Sequence, residues 1–218
     1  MVKTTQFLLF ILFLFTECVT TSKVQRFTDT SIKQSNVRAC CYLDYSNIMV
    51  EHFSDVESVL GPGEKSYLIG SFLSNQIRFS LRDSGDFCDV KRLDSCSTFL
   101  DSTVFLRHLP LSIKMPDQKC VKSSGCDIAI TISNVVVDDR IHVSFGGGFI
   151  IPFAGASRDI VINCTFSIVA SGGQLLYAGQ IESRTPSEGV RIDINTLYQS
   201  VNDLAKNVLK ETIYKWVF

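Results

Sequence analysis

The residues on either side of Gly172 and Gly173 constrain the fold of this chain more than any others. Between residues 159 and 183, apolar side chains alternate with polar ones on both sides of the two glycines, at the two-residue period of a strand with one buried face. A two-residue Gly-Gly loop sets Ala170 opposite Leu175, Ile168 opposite Tyr177, Phe166 opposite Gly179 and Cys164 opposite Ile181, so that one face is apolar on both strands. The other face carries Asn163, Thr165 and Ser167 against Glu182, Gln180 and Ala178 and is expected to meet solvent. A slip of one residue would mix core and solvent positions, so the pattern itself specifies the register. Ile128, Ile130 and Ile132, alternating with Ala129, Thr131 and Ser133, predict a further half-buried strand.

Helical spacing occurs in two other places. Leu68, Ile69, Phe72, Leu73 and Ile77 recur at steps of three and four within residues 65–82, and Ser84 and Gly85 stop the pattern. Asp193 or Asn195 caps a last helix in which Leu197, Val201, Leu204 and Val208 form a stripe that Ile213 and Trp216 continue. Residues 37–44 read as a first strand, 87–93 as a short strand and 97–107 as a helix ending before Pro110. The expected fold is α+β, a mixed sheet with antiparallel carboxy-terminal hairpins and helices packed on one face. A chain of 218 residues suits one such domain over residues 37–218, and its formal net charge of -1 with scattered Lys and Arg excludes the electrostatic footprint of a nucleic-acid binder.

A second hairpin is expected about Gly147. Ile141, Val143 and Phe145 precede the glycine run and Phe149, Ile151 and Phe153 follow it. Folding about Gly147 pairs Phe145 with Phe149, Val143 with Ile151 and Ile141 with Phe153, six apolar residues on one face. Such a face either packs on the domain core or forms a projecting contact with a partner protein or membrane surface, since large apolar surface seldom lies exposed without a use. Each strand of about five residues is half of the ~9–11 that cross a bilayer, so a pore is not expected.

The amino terminus has the charged, apolar, polar order of a signal peptide: Lys3, then an apolar run over residues 7–15, then Thr16, Thr20, Thr21 and Ser22. Cleavage after Ser22 removes residues 1–22. Alternatively Cys18, directly after the apolar run, becomes a lipidated first mature residue and residues 1–17 are removed; Phe15, Thr16 and Glu17 make only a loose lipobox before it. The polar residues 23–36 read as a flexible tether. The chain is therefore expected to be exported, to the periplasm or a lipid anchor at the outer membrane in a bacterium and otherwise secreted.

Eight cysteines in an exported chain point to disulfides, with Cys88–Cys96 and Cys120–Cys126 as candidate short loops. Cys40 and Cys41 are adjacent, so on a strand at most one is expected to face the core. Neither the cysteines nor His52, His108 and His142 show a zinc-ligand spacing, and no metal or cofactor is expected. The chain lacks a Gly-x-Ser-x-Gly elbow, a His-Glu-x-x-His pair and a phosphate-binding loop, so no catalytic residue and no small-molecule substrate is assigned. This favours a binding protein over two alternatives: a secreted disulfide-stabilised enzyme using a cysteine or a carboxylate pair, and a eukaryotic secreted binding module. The triplet Asn163, Cys164, Thr165 is a glycosylation sequon, a pattern common by chance.

The run CDIAITISNVVV, the hairpin DIVINCTFSIVASGGQLLYAGQIES and the closing helix, over residues 127–210, resemble small bacterial cell-envelope lipoproteins. That group includes penicillin-binding-protein activators, curli-type secretion lipoproteins and auxiliary lipoproteins of transporters. Gly172, Gly173, Tyr177 and Gly179 occupy the places of its glycine turn and aromatic return strand. The resemblance implies a non-enzymatic, membrane-tethered protein that binds other envelope components.

Overall fold

A computed structural model describes residues 21–27, 37–93, 99–147, 152–187 and 191–212. In chain order the elements are β1 (Thr21–Arg26), β2 (Arg38–Leu43), a 3-10 turn (Tyr45–Asn47), β3 (Ile48–Glu51), α1 (Val56–Leu60), α2 (Lys65–Asp83), β4 (Asp89–Arg92), β5 (Phe99–Leu106), β6 (Leu109–Pro116), α3 (Gln118–Ser123), β7 (Ile128–Gly147), β8 (Pro152–Ala170), β9 (Leu175–Pro186) and α4 (Ile194–Glu211). The fold is α+β. Seven strands form one mixed sheet in the order β1-β9-β8-β7-β2-β4, with β3 also on β7, and β5 and β6 form a separate hairpin. β2 and β3 lie end to end and parallel along β7, pairing with residues 128–132 and 135–138. The 3-10 turn between them falls beside the register shift between Ser133 and Val136, where Asn134 takes φ 50. Both strands on this seam are thus interrupted at the same level.

The alternation of β7, β8 and β9 places Ile128, Ile130, Ile132, Ile160, Ile162, Cys164, Phe166, Ile168 and Ile181 in one cluster with Ile69, Leu73, Ile77 and Leu81 of α2 and Leu197, Val201, Leu204 and Val208 of α4. Both α2 and α4 have a side-chain cap: Glu64 accepts from the amides of Ser66 and Tyr67, and Asp193 accepts from that of Thr196. The β8–β9 register follows the sequence pattern from Cys164↔Ile181 through Ile168↔Tyr177. It departs at the turn, where Val169 rather than Ala170 faces Leu175. Gly173 donates to the carbonyl of Ala170 and takes φ 85, closing a three-residue loop whose last position needs the left-handed region.

The other face of the sheet is covered, which corrects four expectations. Thr165 and Ser167 are buried, with exposures of 7% and 0%, because β5 and β6 lie over them in place of water. Val104 and Ile113 pack on Ala178, the hydroxyl of Ser167 donates to the carbonyl of Lys114 at 2.7 Å, and Asn134 donates to that of Ser112. Buried polar groups satisfied in this way look like solvent positions in a hydropathy pattern. Secondly, the helix expected over residues 97–107 is, in its described part, the strand β5 (Phe99–Leu106): its turn is Arg107 and His108, both with positive φ (49 and 76), so the usual Asn-Gly hairpin signal is missing. Thirdly, α3 packs its Val121 on Cys40, Ala129 and Cys126 of this second face, so not every helix lies on one side. Fourthly, both adjacent cysteines are buried, Cys40 in this second cluster and Cys41 in the first, because the sheet has a core on each side.

The segment read as a tether from residue 23 begins as a strand. β1 pairs with β9 from Thr21↔Glu182 to Arg26↔Tyr177, and Val24 packs against the main core. Its polarity suits an edge strand, which charged side chains protect from further pairing.

Gly179 permits this edge to close. A Cβ there would sit 2.6 Å from the carbonyl oxygen of Lys23 and 2.9 Å from a methyl of Val24. Gly179→Ala is expected to push β1 off the sheet, costing about 1–3 kcal/mol, the range for overpacked sites. Urea unfolding measures the loss, and hydrogen exchange should quicken at the β1 amides before those of β8.

Candidate functional site

β3 stops pairing with β7 at Asp138, and β9 stops pairing with β8 at Asp159. β7 and β8 continue together through seven more ladder positions, from Ile141↔Arg158 to Gly147↔Pro152. Among the described residues neither strand has another sheet neighbour there. At ~3.4 Å per residue the two strands form an arm that extends about 20 Å beyond the seven-stranded body. Ile141, its first residue, is 65% exposed.

This arm contains the six residues expected to form a contact face, in a different register. Phe145 pairs with Ala154 and Ile141 with Arg158, while Phe153 pairs with Gly146. Phe145–Phe149, Val143–Ile151 and Ile141–Phe153 are therefore not the ladder pairs; Val143 faces Ala156 instead, and Phe149 and Ile151 lie outside the described residues. The glycine run drew the expected centre to Gly147, but register is inherited from the long ladder below, where Ile132↔Phe166 and Arg140↔Asp159 are already aligned. Gly146 and Gly147 consequently stand in the ladder and not at its turn.

Charged residues that the hydropathy pattern does not single out surround the arm's root. Arg158 donates to both carboxylate oxygens of Asp139 and, at 3.0 Å, to Asp55. Arg184 bonds Asp159, Arg140 donates to Asp138 at 2.8 Å, and His52 Nδ1 lies 3.0 Å from Asp138 Oδ1. Asp138, Asp139 and Asp159 are all buried, and each has an arginine partner. Hydrogen bonding to Arg158, then to Ser54, holds the Asp55 carboxyl below its ordinary value. Burial opposes ionisation of Asp138, but the bonds from Arg140 and His52 outweigh it and its carboxyl is also lowered. Bonding to Asp139 raises the Arg158 guanidinium above its ordinary value. A signal was present in the sequence: the observed register sets Arg140 across from Asp159, with Asp139 diagonal to Arg158, whereas one centred on Gly147 would not bring these charges together.

The remaining candidates are dispersed. Cys126 is bonded to Cys40, not Cys120, with 5.9 Å between Cα atoms, at the end of the sheet away from the arm. Cys120 is also disulfide-bonded. Cys88 is a free, exposed thiol and so does not bridge to Cys96, which itself lies outside the described residues. The disulfide therefore joins β2 to the start of β7 across a long loop, where the sequence spacing had suggested short local ones. Burial pushes the Cys164 thiol up to about 12, which leaves it without thiolate character for nucleophilic chemistry. Thr165 of the sequon is buried between Ser133 and Asn134. Cys18 lies outside the described residues.

No family model matches this chain, and no curated protein matches it. Solved structures to which it is similar include a point variant of the PelC dodecamer from Paraburkholderia phytofirmans, at 11% identity and TM-score 0.41, covering 88% of this chain and 98% of that one. The PelC dodecamer of the same organism in another crystal form gives 11% identity and TM-score 0.39, covering 87% and 95%. A neuraminyllactose-binding hemagglutinin homolog from Helicobacter pylori gives 9% identity and TM-score 0.40, covering 88% and 91%.

Two outcomes follow from the charged root. Arg158→Met leaves Asp139 buried without its partner and should destabilise the fold by roughly 3–5 kcal/mol, as broken buried pairs do; equilibrium urea unfolding measures it. Asp55 and Asp138 have lowered values in the folded state, so their contribution is complete above the unfolded carboxylate range and is lost as pH falls through the folded values. The urea midpoint should therefore stay level near neutrality and drop below about pH 4. A midpoint that rises on acidification would contradict these pairings.

Proposed function

We propose that this is an exported, non-enzymatic cell-envelope protein, tethered by a lipid on Cys18, that uses the β7–β8 arm to bind a membrane surface or another envelope component. The observation that carries the reading is directional. β1 begins at Thr21 opposite Glu182, and β9 runs from there toward Pro186 at the root of the arm. The amino end of β1 therefore points the same way as the arm. Cys18 is three residues before Thr21, a reach of about 10 Å, so an anchor there and the arm address the same side. Residues 141–158 contain no acid and include Ile141, Val143, Phe145, Phe149, Ile151 and Phe153, a composition suited to an apolar partner or an anionic lipid surface. The apolar run at residues 7–15 and the resemblance of residues 127–210 to small envelope lipoproteins support the same reading. Among the described residues no helix is long and apolar enough to cross a membrane.

Processing before Cys18 would leave all of β1 intact, whereas cleavage after Ser22 would remove its first two residues. The intact mass of the mature protein should show the loss of residues 1–17 and a lipid on Cys18, and Cys18→Ser should shift the protein from the membrane to the soluble fraction. Retention of residues 1–15 would overturn the tethered reading. For the arm, unlipidated protein carrying Phe145→Ser and Phe149→Ser should float with phosphatidylethanolamine–phosphatidylglycerol vesicles, or bind its envelope partner, at least tenfold more weakly. Its stability should stay within about ±0.5 kcal/mol per substitution, the range for surface changes. A loss of roughly 3–5 kcal/mol apiece would mean that these aromatics belong to the core and that the arm is no contact site.

A further inference from the structure

We infer that Glu51, His52 and Asp138 form a site for a divalent transition-metal ion, zinc in type, at the root of the arm. One ligand atom from each of the three lies within 4.8 Å of the others. The fold brings them together in two steps. Glu51, the last residue of β3, pairs with Asp138 on β7. His52 then takes φ 50, a left-handed conformation uncommon for a residue with a Cβ, and its ring is turned back over the strand end with Nδ1 3.0 Å from Asp138 Oδ1.

The chemistry of the set selects the ion. One imidazole nitrogen and two carboxylate oxygens suit zinc and its neighbours, whereas calcium and magnesium favour oxygen alone. Tetrahedral zinc at ~2.0–2.2 Å from its ligands needs them on the order of 3.4 Å apart, so the widest separation closes by at most about 1.4 Å. The His52 side chain, 78% exposed, has the freedom to make that movement. Asp138 is the fixed member: Arg140 donates to its Oδ2 at 2.8 Å, which orients the carboxylate and leaves Oδ1 toward His52. Outer hydrogen bonds of this kind commonly position a ligating group. With three protein ligands, the fourth position opens to water or to a donor from a bound partner.

This site does not depend on the arm's binding role. Calorimetric titration of the purified full-length mature protein with zinc chloride tests it, after removal of metal by chelator. One ion per chain is expected. His52→Asn, which keeps a residue tolerant of positive φ, and Glu51→Gln should each weaken binding at least tenfold with the native far-UV circular dichroism retained. Cys88→Ser, which removes the exposed thiol, should bind as the wild type does. Absence of binding up to millimolar zinc, wild-type affinity in both site variants, or loss of binding in Cys88→Ser would each overturn the inference.

Discussion

The ladder between β7 and β8 is the interaction on which the other elements depend. It runs from Ile128↔Ala170 to Gly147↔Pro152, with a single shift at Asn134, and it supplies the central pair of the sheet. β2 and β3 align on one side of it and β9 on the other, so every layer takes its position from this register. Moving one strand by a single residue would turn Ile160, Ile162, Phe166 and Ile168 from the helical layer toward β5 and β6. It would also separate Arg158 of β8 from Asp139 of β7. Hydrophobic alternation specifies the register in the lower half of the ladder. Charge pairing specifies it at the root of the arm, where the glycine-rich sequence above carries little information.

The two ends of this ladder are built differently. Near Ile128 the chain is closed by the Cys40–Cys126 disulfide, by α3 and by the loop at Gly173. Near Asp159 there is no covalent link among the described residues. Buried carboxylates with arginine partners take that place, and among the described residues the two strands then continue without a further sheet neighbour. A buried ion pair specifies geometry more than it adds stability, because desolvation cancels much of the attraction. Such a root suits an element whose direction matters, and the amino-terminal strand leaves the sheet toward the same side.

Much of the fold was legible in the sequence where a single periodicity acts alone. α2, α4, β2, β4 and the β8–β9 pairing follow directly from apolar spacing and caps. The errors arise where two layers compete for one strand or where turn chemistry is unusual. Thr165 and Ser167 carry the polarity of surface residues yet are buried, because hydrogen bonds to Ser133 and Asn134 of β7 for the one, and to the Lys114 carbonyl of β6 for the other, replace those to water. Arg107 and His108 make a left-handed turn without glycine, so β5 resembled a helix. Of the candidate site, the apolar segment over residues 141–153 was legible, but its apolar spacing alone did not give the register, since three consecutive glycines offer several possible centres and the information lies in the charges at 140 and 159. The disulfide partner of Cys126 could not be read from spacing, because Cys40 and Cys126 meet only through the parallel pairing of β2 with β7.

The central claim is that β7 and β8 leave the body of the protein as a free two-stranded arm. Native-state hydrogen exchange resolved along both strands tests it most directly. In the isolated chain, amides of residues 141–147 and 152–158 that point away from the partner strand should exchange at nearly unprotected rates. Their counterparts in residues 128–138 and 160–169, flanked by β2, β3 and β9, should exchange only through global unfolding. Uniform, core-like protection along the whole ladder would show that the arm is already packed against other parts of the molecule, and would contradict the account.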